Sequence, residues 1–195
     1  MATSSTVDLA LGRLEFCEVT EATWADFVRL FERRGSPKSC WCMVWRATAE
    51  EARRTDGKHR RAALERRVAL GVPIGLLAYL EGEPVGWCSI APRSTYRPLG
   101  GSEYPGVEPD QIWSVTCFFL TRELRGQGIM PHLLDAAVEH AQQRGAVVIE
   151  GYPVDEDSPS YRFMGFVPTF EDAGFIEVAR AGTRRHVMRR DMPTS

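Results

Sequence analysis

Between Arg125 and Met130 the chain reads Arg-Gly-Gln-Gly-Ile-Met, with Pro131 next. Glycines at 126 and 128 remove the Cβ atoms that would hold an anion away from the backbone amides. If a helix begins directly after them, its first N–H groups lack intrahelical partners and its dipole favours negative charge, so the chemistry on offer is phosphate binding. A tight turn without a ligand is the plainer alternative. Five thiols, at Cys17, Cys40, Cys42, Cys88 and Cys117, are the other reactive groups that stand out. Cys40-Trp41-Cys42 has no second ligand pair at finger-like spacing, so no metal is expected.

The elements around the glycines supply the positioning. Ile112 to Leu120 is an apolar run of β-branched, aromatic and aliphatic residues without Gly or Pro, which predicts a strand. Met130 to Arg144 carries Leu133, Leu134, Ala137, Val138 and Ala141 near helical spacing, and Gly145 ends it. Ala146 to Ile149 then makes a second strand. Strands joined through a helix run parallel with a right-handed crossover, and the glycine loop falls at the helix N-terminus, with Pro131 in the first turn where a missing N–H costs little.

At 195 residues with no Ser/Gly/Pro-rich linker, a single domain is expected, with residues 1–12 a loose tail. A net charge of −2 argues against a general nucleic-acid binder. The first residues lack the pattern of a signal peptide, and the longest apolar stretch, Val72 to Leu80, is too short for a bilayer, which predicts a cytoplasmic protein with no membrane partner. An odd number of cysteines in such a chain predicts reduced thiols.

In chain order, Leu14 to Val19 alternates like a half-buried strand, and Thr20 can cap a helix whose face is Trp24, Phe27, Val28 and Phe31. Ser36 to Arg46 is dense in aromatic and sulfur side chains and is expected to pack inward or line a pocket. Thr48 and Glu51 form a capping-box pattern for a helix from Ala49 to Leu70 with a possible break near Gly57. Ile74 to Leu80 and Val85 to Ile90 predict a hairpin, followed by a long loop from Ala91 to Asp110. Pro168 to Ala173 reads as a short helix, and Phe175 to Arg180 with Arg184 to Arg190 as a final hairpin. Antiparallel strands around one parallel crossover make a mixed α/β, or α+β, sheet flanked by helices.

A strand, Arg-Gly-Gln-Gly-Ile, an amphipathic helix, a strand, and a short helix ending in Ala173-Gly174-Phe175 resemble the GNAT acetyltransferases, which bind acetyl-coenzyme A. The family signature Q/R-x-x-G-x-G/A falls on Arg125, Gly128 and Met130. Met130 replaces a small residue, which is tolerable because the amide, not the side chain, would face the phosphate. Rival motifs fail: a dinucleotide fingerprint needs glycine where Pro131 stands, and neither a Walker loop nor a G-x-S-x-G turn occurs.

The resemblance implies a sheet whose parallel strands splay apart around the pantetheine arm, with Phe118, Phe119 and Leu120 beside it and the Leu120 N–H donating to the thioester oxygen. Amides from Arg125 through Gly126, Gln127, Gly128 and Ile129 to Met130 would hold the pyrophosphate. Several such bonds at ~0.5–1.5 kcal/mol each outweigh the ~0.3–1 kcal/mol of the helix dipole. An acceptor amine, from a small molecule or a peptide, would attack directly. Phe170 stands where many members place a proton-donating tyrosine, leaving Tyr161 first and Tyr152 second for that role, or none, since a thiol can leave as thiolate. Glu150 is the expected general base and Asp155 the second choice. Cys-Trp-Cys-Met-Val-Trp, Tyr96, Tyr104 and Trp113 could wall the acceptor pocket, with Arg184, Arg185 and His186 available to an acidic acceptor. A catalytically silent acyl-coenzyme A sensor and a redox or metal module on Cys40, Cys42 and Cys88 are the alternatives. Monomer and homodimer are both open.

Overall fold

Strands form from alternating segments at one edge (β1 and β2) and from continuously buried runs at the centre (β3, β4 and β6): β1 (Ser5–Leu9), β2 (Gly12–Glu18), β3 (Leu76–Leu80), β4 (Glu83–Pro92), β5 (Ile112–Leu120), β6 (Val148–Gly151), β7 (Ile176–Ala181) and β8 (Arg185–Asp191). In the computed structural model, which describes residues 5–193, they form one sheet in the order β1-β2-β3-β4-β5-β6-β8-β7. Every neighbouring pair is antiparallel except β5 and β6. The mixed, mostly antiparallel sheet with one parallel pair is therefore the observed architecture.

Helices cover both faces. α1 (Trp24–Glu32) and α2 (Gly57–Ala69) pack with Trp41, Met43 and Trp87 on one face. α3 (Ile129–Gln143) and α4 (Val167–Asp172) bury Leu133, Leu134, Ala137 and Phe170 on the other, against Val115, Phe118 and Leu120. α3 is the crossover between β5 and β6, as the alternation of elements predicts.

Three local expectations need correction. The supposed loose tail carries β1, because Ser5 to Leu9 alternates and finds β2 across a tight turn; residues 1–4 lie outside the described residues. The predicted Ala49–Leu70 helix is two pieces. Thr48 and Glu51 do form the reciprocal capping box (2.9 and 3.2 Å), yet only one turn follows. α2 restarts at Gly57 with Asp56 as its cap, and a Cβ at 57 would lie 2.7 Å from the Lys38 carbonyl. Thr20 does not cap α1: Thr23 stands at that position, and its hydroxyl bridges the Thr20 amide and the Glu18 carbonyl.

The decisive irregularity lies in β5. β6 accompanies it only from Ile112 to Val115, so Thr116 to Leu120 keep β4 on one side and no strand on the other. At the same point the β4 register passes from Ile90↔Val115 to Ser89↔Cys117, leaving Thr116 as one extra residue, a β-bulge. A bulge inverts the alternation of side chains. Hence Val115, Phe118 and Leu120 join the α3 side, while Cys117 and Phe119 face the α1 side.

Candidate active site

The bulge and the splay leave backbone donors without strand partners. The Thr121 N–H donates to the Val85 carbonyl (2.9 Å), so the alternation of an antiparallel ladder makes Phe119 and Trp87 the next bonded pair. Phe118 and Leu120 then direct their amides away from β4, into the opening where β6 has ended. The Leu120 carbonyl on that side accepts from Arg125 Nε (3.1 Å), which ties the end of β5 to the glycine loop.

In that loop both glycines are left-handed, Gly126 at φ +75° and Gly128 at φ +74°, and Gly128 immediately precedes α3. Open space surrounds the Cβ direction at each. Backbone conformation rather than crowding within the protein is thus what demands glycine, because an L side chain at such φ is strained. Gln127 turns away, its amide donating to the Glu123 carbonyl (2.8 Å).

Loop and open edge share one cavity of about 710 Å³. Phe118, Phe119, Leu120, Arg125, Gly126, Gly128, Ile129 and Met130 line it, which brings together every expected coenzyme residue except Gln127. Volume and mostly apolar walls with a few polar groups suit a cofactor-sized ligand. The far wall comes from Pro37, Cys40, Cys42, Val44 and Trp45, so the sulfur-rich segment does line a pocket, although Trp41 itself is buried in the core beneath. Cys117 lines it too, and Thr116, Leu124, Arg162, Phe163, Phe166 and Thr169 complete the wall. Sequence reasoning missed this last group; Arg162 to Phe166 lie in a single turn with no periodicity to mark them.

Glu150 does not reach this cavity. It is 0% exposed, and its oxygens already accept four hydrogen bonds: Oε1 from the Ser102 N–H (2.9 Å) and Tyr104 OH (2.6 Å), Oε2 from Arg93 (3.0 Å) and Tyr152 OH (2.7 Å). Its lone pairs are occupied, and the structure places Glu150, expected as the general base, where it holds the long loop on β6 rather than at the cavity wall. Burial, followed by Glu150, pushes the Tyr152 phenol well above its ordinary range, and burial likewise raises Tyr104. Asp155 is engaged with His186 Nε2 at 3.1 Å. Among the described residues the cavity wall carries Arg125 and Arg162 but no carboxylate.

Tyr161 does not line the cavity: it is 37% exposed and left-handed (φ 60°), its ring 6.4 Å from that of the lining residue Trp45, and it directly precedes the lining residues Arg162 and Phe163. Phe170 is wholly buried. Its ring fills the space beside Gly151, where a Cβ would come within 2.0 Å, and beside Gly165, and meets Phe118 edge-on at 6.1 Å. Tyr96, Tyr104 and Trp113, expected around the acceptor, instead serve the scaffold: Tyr96 bonds Arg46, Tyr104 bonds Glu150, and Trp113 packs in the core. Arg185 lies over the Trp45 ring at 4.6 Å. No group of three or more His, Cys, Asp or Glu is placed to hold a metal among the described residues, and no helix there is long and apolar enough to cross a membrane.

Known proteins share the fold. A model of the acetyltransferase (GNAT) family matches residues 38–166. The GNAT domain of S. lividans PAT superposes with a TM-score of 0.59 at 16% identity, covering 97% of both chains. A putative acetyltransferase from Salmonella typhimurium, solved with acetyl-CoA, gives 0.55 at 15% identity over 93% of this chain and 95% of its own. The ribosomal-protein-alanine N-acetyltransferase from Brucella melitensis gives 0.54 at 21% identity over 91% and 99%. At such identities the likeness is one of fold. No curated protein sequence matches the chain.

Proposed function

The chain belongs to the GNAT family of acetyltransferases, and on that premise we propose that it moves an acetyl group from acetyl-coenzyme A to a primary amine by direct attack on the thioester. One observation carries the reading: the strand-free amides of β5 and the left-handed glycine turn open onto the same cavity. Phe118 and Leu120 would hold the pantetheine arm through their backbone, and the amides from Gly126 to Met130 would take the pyrophosphate. Bound there, the coenzyme supplies an activated acetyl group.

The Leu120 N–H is the donor proposed for the thioester oxygen, where it stabilises charge that develops in the transition state. Among the described residues no wall carboxylate is placed to accept the amine's proton, so the acceptor reacts from its neutral form and sheds its proton to water. Tyr161 is the phenol assigned to protonating the leaving sulfur. The acceptor is a small-molecule or peptide amine, and we place the protein in the cytoplasm, where its five free thiols stay reduced. Phe170, which offers no hydroxyl, favours a second reading as a silent acyl-coenzyme A sensor.

A thermal shift with acetyl-coenzyme A against NAD and ATP tests the binding reading, since a ligand selective for the folded state raises its stability by mass action. The expected result is a shift with acetyl-coenzyme A alone; none at ~1 mM coenzyme overturns the proposal. Thiol release across a panel of amines then separates enzyme from sensor.

A further inference from the structure

Arg184, Arg185 and His186 follow one another on the closing hairpin, and the fold treats them differently. His186 lies between Asp155 (3.1 Å) and Glu177 (2.8 Å), and the exposed Arg184 bonds Ser160 Oγ (2.8 Å). Arg185 is half-buried and pairs with no carboxylate among the described residues; its Nη1 donates to the Leu99 carbonyl (2.9 Å). We propose that Arg185 binds a carboxylate of the acceptor, so that the substrates are amines that carry one: an amino acid, or a peptide with a free C-terminus. The fate of the amine rests on the acetyl-transfer reading; its selection rests on Arg185.

Backbone pairing fixes where this residue stands. Arg185 opens β8 and bridges Val154, and the His186 N–H donates to the Pro153 carbonyl (2.9 Å). Val154 lies three residues past Gly151, the last β6 residue paired with β5, and Phe118 lies three past its partner Val115. By this count Arg185 is level with Phe118, across the opening from the strand-free amides.

Its guanidinium lies over the ring of Trp45, a residue of the cavity wall, at 4.6 Å, with Tyr161 at 5.5 Å and Tyr152 at 5.9 Å. Aromatic faces hold a guanidinium partly out of water without supplying a counter-charge, and burial lowers its pKa from the ordinary arginine value. A guanidinium over a ring keeps its N–H groups at the edge. Nε and Nη2 form the side-on fork that takes both oxygens of a carboxylate, and neither has an acceptor among the described residues. A ligand carboxylate there supplies the charge partner that a partly buried cation lacks. Val44 and Phe163, 42% and 40% exposed on the same cavity wall, suit an acceptor with an apolar side chain.

The test is titration calorimetry on the full chain, with and without coenzyme A, using matched pairs: phenylalanine against phenethylamine, leucine against isopentylamine, and the dipeptide Gly-Phe against its C-terminal amide. The carboxylate member of a pair is expected to bind ~10–100-fold more tightly. A preference within the first two pairs assigns amino acids; one confined to the third assigns a peptide C-terminus. Arg185→Gln should erase the preference while leaving the phenethylamine constant unchanged, whereas loss of a purely structural contact would weaken both members alike. Arg185→Lys, which keeps the charge without the fork, should recover part of the preference. Binding is read without thiol release, so the two readings fail separately: selective binding with no release from acetyl-coenzyme A keeps the carboxylate site and sinks acetyl transfer. The unsubstituted protein decides alone. No preference in any pair, undetectable binding included, overturns the proposal, as does a preference that survives in Arg185→Gln.

Discussion

β5 and β6 are parallel neighbours for four residues and then differ in what they do with their polar groups. Past Val115, β5 offers amides that no strand takes, whereas Glu150 on β6 has each carboxylate oxygen occupied by two donors. Both regions are rich in hydrogen-bonding capacity, and only the first has capacity left for a ligand. A buried group that is fully satisfied belongs to the scaffold, however suitable its chemistry looks from sequence.

The contrast can be broken by experiment. The largest effect is expected from Gly128→Val on the open side: forcing a β-branched residue to φ +74° costs about 1–2 kcal/mol, and displaced amides lose more. Acetyl-coenzyme A should bind ~100-fold more weakly by titration calorimetry. On the saturated side, Glu150→Gln places an amide NH₂ against either Ser102 N–H or Arg93, whichever way it is flipped. Unfolding stability should fall by about 1.5–3 kcal/mol in denaturant titration, with turnover of the folded fraction kept at neutral pH. Turnover abolished at unchanged stability would restore Glu150 as the base.

Arg125→Ala, which removes one bond to the Leu120 carbonyl but no loop amide, should weaken coenzyme binding only ~3–10-fold, and dissociation constants equal to those of Gly128→Val would sink the ranking. With no carboxylate on the wall among the described residues, kcat/KM should rise about tenfold per pH unit up to the acceptor's own pKa, and an earlier plateau would reveal a base on the enzyme. Smallest is Tyr161→Phe, expected to lower kcat ~2–5-fold with KM unchanged in steady-state kinetics.

Much of this contrast was invisible in the sequence for a physical reason. β5, α3 and β6 were legible because periodicity and the glycine stop are local signals, and the glycine loop came with them. Three of Glu150's four partners lie 46 to 57 positions away, so its saturation is written in tertiary structure. The Thr116 bulge depends on pairing register with β4, which composition does not encode. β1 was missed because a short, half-polar strand resembles a tail until its partner is known. Trp45 and its sulfur-rich neighbours were detectable as a density of side chains too costly to leave in water, though not by role.

Phe170 has a consequence for the energetics of occupancy. Its ring is seated between two residues that lack a Cβ, Gly151 and Gly165, at the point where β6 leaves β5. It works as a spacer that stops the strands from zipping further. The gap is then a product of core packing, maintained by the same burial that folds the domain, and a ligand entering it has little backbone left to order. Such preorganisation transfers the entropic cost of opening from binding to folding. The aromatic that has no proton to give sets the width of the opening.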